Sequence, residues 1–118
     1  MKTKFFSAIL LVVMLCSSAY ASLPSVTMLS TKTCPACTQM AKVLRQIDKD
    51  YGGRIETRHI YLEDEPELAE RYRVRYVPML IFKDAKGREV AREVGYRSKG
   101  EVLKIFANKG VTIKGAEK

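Results

Sequence analysis

The chain of 118 residues has no tryptophan, one histidine, three cysteines, four prolines and seven glycines. Each scarcity excludes something. So few prolines and glycines, in a chain that is 47% apolar and 29% charged, exclude collagen-like repeats and a low-complexity disordered chain. One histidine beside one close pair of cysteines falls short of the four ligands that structural zinc takes. Hydrophobic runs are also scarce. The only one, Phe5–Cys16, is twelve residues long, whereas spanning a bilayer takes about 20. No repeats or linkers interrupt the rest, and the length predicts one domain.

What is present begins with a targeting pattern. Lys2 and Lys4 precede the apolar run, and Ser17-Ser18 and Ala19-Tyr20-Ala21 follow it. A basic start, an apolar middle and an A-x-A end predict a secretory signal over residues 1–21, cleaved after Ala21. The alternative is an uncleaved membrane anchor. Lipid attachment at Cys16 is disfavoured by Leu15, which stands where a small residue is expected. Cleavage would take the 118 residues to 97, and loss of Lys2 and Lys4 would take the net charge from +8 to +6. Residues 22–118 would then form a soluble periplasmic or secreted domain. Its two cysteines, Cys34 and Cys37, would sit in an oxidising compartment that suits disulfide chemistry.

Ser25–Ser30 (SVTMLS) is short, apolar and β-branched, and predicts a buried strand. From Cys34 the pattern turns helical, with Pro35 at the first helical position, where its missing N–H is harmless. Cys37, Met40, Ala41, Leu44 and Ile47 make one apolar face, and Gly52-Gly53 ends the helix. A second strand is predicted over Arg54–Leu62. A short helix follows over Glu67–Tyr72, and the acids Glu63–Glu67 around its start read as a solvated cluster suited to the helix dipole. Val77-Pro78 leads into a strand over Met79–Phe82. Asp84–Gly87 makes a hairpin turn to a strand over Glu89–Val94. Ser98 caps a helix over Lys99–Asn108, and the tail Val111–Lys118 reads as loose. The order is β-α-β-α-β-β-α: an α/β fold with a four-stranded mixed sheet and helices on both faces.

Cys34-Pro35-Ala36-Cys37 at a strand-to-helix junction, followed by Val77-Pro78 before a strand and by Val94-Gly95-Tyr96, resembles the thioredoxin superfamily. The resemblance runs over nearly all of residues 22–118 and implies a minimal thioredoxin fold. Departures accompany it. Thr33 stands where thioredoxins carry Trp, and Pro35-Ala36 where they carry Gly-Pro. Met28 stands where they bury an acid, and His59 where they often carry a nearby Lys. The resemblance further implies a cis Val77–Pro78 bond lying against Cys34. Thr33, Val94, Gly95 and Tyr96 would then line the substrate groove.

The chemistry expected of these residues is thiol–disulfide exchange. Cys34, at a helix N-terminus, meets unpaired N–H groups and the positive end of the dipole, which favour its thiolate. Cys37, one turn on and inward-facing, is the resolving thiol that closes a Cys34–Cys37 disulfide. His59 is a candidate proton relay for Cys37, or an ordinary strand residue. The rival readings are a static disulfide and a thioredoxin-like metal-binding protein, with Met40 as a third soft ligand for Cu(I). The expected reading needs no metal and no cofactor. Its partners are protein dithiol or disulfide substrates and an upstream electron donor or acceptor. The spread of basic residues along the chain argues against nucleic acid and leaves transient attraction to anionic membrane surfaces open. A monomer acting as a reductant is expected, with an oxidase- or isomerase-type catalyst as the alternative.

Overall fold

A computed structural model describes residues 22–115. The expected signal at 1–21 and the last three residues lie outside the described residues. The elements follow the expected order: β1 (Ser25–Ser30), α1 (Pro35–Tyr51), β2 (Glu56–Tyr61), α2 (Glu67–Arg71), β3 (Met79–Lys83), β4 (Glu89–Val94) and α3 (Lys99–Asn108).

The four strands form one sheet in the order β2-β1-β3-β4. β1 runs parallel to β2, with Met28 opposite His59. It runs antiparallel to β3, with Leu29 opposite Met79. β3 and β4 form the hairpin, with Met79 opposite Val94. Alternation along the central strands divides the core between two faces. Val26 and Met28 of β1 and Leu80 and Phe82 of β3 meet Met40, Leu44 and Ile47 of α1 and Val102 and Phe106 of α3. Leu29, Met79 and Ile81 face the other way, onto Leu68 of α2. Phe82 and Phe106 are fully buried and pack edge to face, 5.2 Å between centroids. Burying each ring contributes about 1.5–3 kcal/mol.

Local chemistry sets the element ends. Pro35 opens α1. Ser98 caps α3 through a reciprocal pair: the Glu101 N–H donates to Ser98 Oγ at 3.2 Å, and the Ser98 N–H to Glu101 Oε2 at 2.9 Å. Two expectations need correction. β2 begins at Glu56 rather than Arg54, because the N–H groups of Arg54 and Ile55 donate back to Tyr51 O and close a turn. The tail is tied down as far as it is described: Ile113 is buried in the main core, and Arg54 Nη1 donates to Lys114 O at 2.6 Å. Among the described residues no helix is long and apolar enough to cross a membrane.

Candidate active site

The register gathers the candidate residues at one end of the sheet. β1 ends at Ser30 and runs through Thr31–Thr33 into Cys34. The antiparallel pairing of Leu29 with Met79 and of Met79 with Val94 brings the start of β3 and the end of β4 to that same end. The Val77–Pro78 bond is cis. The Gly95 N–H donates to Pro78 O at 2.8 Å, so the β4 exit is fastened to the proline segment. Gly95 has φ of 99°, a conformation that a side chain would make costly. Tyr76, Val94 and Tyr96 stand exposed here, Tyr76 at 71%.

Cys34 is the N-cap residue of α1, in extended backbone with φ −103° and ψ 109°. Its Sγ accepts the Cys37 N–H at 3.1 Å, and its carbonyl accepts the Thr38 N–H at 3.2 Å. The two cysteines are disulfide-bonded, with Cα atoms 5.2 Å apart. Their surroundings differ. Cys34 is half-buried beside exposed Thr33, Pro35 and Ala36, whereas Cys37 is 2% exposed. A helix N-terminus stabilises an anionic sulfur, and the first turn of α1 carries no acid to oppose it.

The loop before Cys34 is held at Lys32. The Lys32 N–H donates to Glu63 Oε1 at 2.9 Å, and its Nζ to Asp64 Oδ1 at 2.8 Å. The bond to Asp64 raises the Lys32 pKa above its ordinary value. Glu63 and Asp64 are therefore not merely solvated: they tie the β2–α2 turn to the loop.

Beneath Cys37 the sheet is polar at one point. Ser30, the one fully buried polar residue among the described residues, has its Oγ 2.7 Å from His59 Nε2 and 3.4 Å from Ile60 O. The His59 and Tyr61 rings lie 4.5 Å apart, tilted by 50°. His59, Tyr61, Cys37, Thr38, Arg45 and Lys32 share a cavity of about 140 Å³. Desolvation first, then the charge of Arg45, lowers the His59 pKa from its ordinary value. Met28 is fully buried in the core. The sequence reading missed Ser30, Arg45 and Tyr76. Ser30 read as the last residue of an apolar strand, and only its serine hydroxyl between buried neighbours could have marked it. Among the described residues no three His, Cys, Asp or Glu side chains are grouped to hold a metal ion.

Comparison with known proteins adds three findings. A family model described as a thioredoxin-like domain matches residues 19–110. A thioredoxin of Staphylococcus aureus is 32% identical over 74 residues, covering 62% of this chain and 69% of its own. Two solved structures share the fold. One, titled as the structure of a malarial protein, has a TM-score of 0.70 at 24% identity, covering 76% of this chain and all of that one. The other is thioredoxin-2, described as a component of the malaria parasite's protein secretion machinery. It has a TM-score of 0.67 at 23% identity, covering 73% of this chain and 82% of that one.

Proposed function

The chain belongs to the thioredoxin-like family, whose general activity is thiol–disulfide exchange with protein substrates; on that premise we propose that it exchanges disulfides with exported proteins through Cys34 and Cys37, working as a reductant. The observation that carries this reading is the contrast between the cysteines: Cys34 half-buried at the helix start, Cys37 2% exposed one turn below it. Cys34 thiolate attacks a substrate disulfide, forming a mixed disulfide and releasing one substrate thiolate. Cys37 then attacks Cys34 Sγ, closing the internal disulfide and releasing the second substrate sulfur. The substrate gains two electrons and the cysteine pair loses them. Pro78, Gly95, Val94, Tyr96 and Thr33 form the wall along which an extended substrate would lie. A proline at a strand start leaves the ladder unpaired there.

The direction rests on how little supports the Cys34 anion. A strong oxidant owes its power to a stabilised reduced form. Here Cys34 Sγ accepts one backbone N–H, Pro35 brings none, and the Lys32 ammonium is engaged with Asp64. Export rests on residues 1–21, with the domain over 22–118.

One experiment tests the whole reading. The protein is recovered from the exported fraction, its N-terminus read, and the reduced form assayed on insulin disulfides. Expected are Ser22 at the N-terminus, rapid insulin reduction, and a disulfide form that melts above the dithiol form. An intact Met1 in a membrane fraction overturns cleavage and favours the membrane-anchored alternative. A dithiol form that melts higher reverses the direction. Failure to reduce insulin overturns the activity.

A further inference from the structure

The resolving thiol presents a chemical problem that the Cys34 side does not. Cys37 is 2% exposed, and a buried thiol resists ionisation because its anion is desolvated. It still has to lose a proton before it can attack. Met28 and Leu29, the buried residues next along β1, are apolar and accept nothing. The polar groups within reach are those that line the cavity with Cys37.

We propose that His59, held by the buried hydroxyl of Ser30, accepts the Cys37 proton through the cavity that they share, and so sets the rate of the resolving step. This deepens the proposed disulfide exchange and rests on it. Ser30 is the positioning residue. Its Oγ can accept from His59 Nε2–H at 2.7 Å while donating to Ile60 O at 3.4 Å. That arrangement satisfies the buried hydroxyl twice and leaves Nδ1 as the basic nitrogen, the usual way a partner on one ring nitrogen fixes the tautomer. The cavity of about 140 Å³ is bordered by Thr31, Thr38 and Tyr61 as well as by His59 and Cys37. It has the room and the polar partners that a bridging water needs.

The charged groups around His59 suit a base that is neutral at rest. Arg45, Asp48 and Lys49 approach from α1, and Arg58 and Tyr61 flank it on β2. Lys32 comes from the loop, its charge paired with Asp64. His59 is exposed on its outer side, and partial desolvation with the charge of Arg45 lowers its imidazole pKa from the ordinary 6.5, so near neutral pH the ring is neutral and can take a proton.

The step balances. Cys37 Sγ gives its proton to His59, and the thiolate attacks Cys34 Sγ of the mixed disulfide. The Cys34–Cys37 bond forms as the bond from Cys34 to the substrate sulfur breaks, and that sulfur departs with the electron pair. The imidazolium then returns its proton to the departing thiolate or to solvent.

The test separates the two cysteines in time. The reduced protein recovered from the exported fraction, cleaved after Ala21 and so carrying only Cys34 and Cys37, is mixed with 5,5′-dithiobis(2-nitrobenzoate) in a stopped-flow instrument between about pH 5 and pH 9. The first thionitrobenzoate released reports Cys34, and the second reports resolution by Cys37. In the wild type the second phase should rise through an inflection below pH 6.5 and then level off. His59→Gln should leave the first phase unchanged and slow the second by about tenfold to a hundredfold near pH 7, in the lower part of what a positioned base contributes. Its second phase should also become proportional to hydroxide. Ser30→Ala should give a smaller loss with the inflection moved. A His59→Gln second phase with wild-type rate and pH profile overturns the proposal, while the first phase still stands for disulfide exchange. A wild type with neither phase instead removes the underlying activity. The single histidine supplies a check that needs no variant. Its NMR titration should differ between the disulfide and dithiol forms, and identical curves overturn the proposal.

Discussion

The two ends of the sheet are built by different means. At the far end the β3–β4 turn is stitched by its own residues. Asp84 Oδ1 accepts the N–H groups of Lys86 and Arg88 at 2.9 and 3.0 Å, and Oδ2 accepts Arg88 Nε at 3.0 Å. At the cysteine end the bonds join distant parts of the chain: Ser30 with His59, Lys32 with Glu63 and Asp64, and the Arg97 N–H with Met40 Sδ. The partners are 29, 31, 32 and 57 residues apart. The β3–β4 turn takes these bonds from within five residues, and a single bond from afar, Ser22 Oγ to Ala85 O, joins it to the segment before β1. The cysteine end exists only once the whole sheet has formed, so its geometry depends on the core beneath it.

The largest effect that can break this comparison falls on the cysteine end alone. Cys34→Ser should bring disulfide exchange to background, because among the described residues no other sulfur at that end is accessible to substrate. Cys37→Ser should keep the first attack and accumulate mixed disulfides visible by mass spectrometry, because the resolving sulfur is gone. Iodoacetamide at mild pH should label Cys34 of the reduced protein first. Faster labelling of Cys37 would reverse the two roles.

The same division explains what could be read from the sequence. The helix Pro35–Tyr51 was legible because its apolar face repeats at three- and four-residue spacing and its ends carry Pro and Gly. The hairpin was legible because Asp84 and Gly87 are local turn chemistry. Cys34 and Cys37 were legible as a motif. What escaped was set by distance along the chain. Nothing near Ser30 announces that its hydroxyl meets a histidine 29 residues on. Nothing near Lys32 announces Glu63 and Asp64. The start of β2 was misplaced because Arg54 and Ile55 alternate like strand residues, while their N–H groups are taken by Tyr51 O. The tail read as loose because one isoleucine, Ile113, gives no periodicity, yet it fills the core.

The next effect is shared by both ends. Phe106 is fully buried against Phe82 in the core under β1 and β3. Phe106→Ala should destabilise the fold by about 3–5 kcal/mol through lost burial and a cavity. Because one core supports the whole sheet, a probe at each end should report a single denaturant midpoint, lowered equally. Two separated midpoints would mean that the ends are independent units, and would overturn the account of the cysteine end as dependent on the core.

The smallest effect belongs to the far end and is a matter of pH. Hydrogen bonds from the Arg88 and Lys86 backbone, with the Arg88 side chain, hold the Asp84 pKa below its ordinary 3.8. A carboxylate with a depressed folded pKa contributes stability that is present above the unfolded value. That stability is lost as pH falls through the folded value, since the unfolded chain then binds the proton more readily. Asp84→Asn keeps an oxygen that can accept the backbone N–H groups and removes the charge. At pH 7 this variant should melt slightly below the wild type while exchanging disulfides at the same rate. The gap should close progressively as pH drops below 3.8, because the wild-type carboxyl then becomes neutral as well. The other carboxylates are common to both proteins and cancel in the difference, so the closing isolates Asp84. A gap that stays constant down to about pH 2.5, well under the usual carboxylate range, would show that the charge at this turn contributes nothing. A loss of exchange activity at pH 7 would show that the two ends are coupled after all.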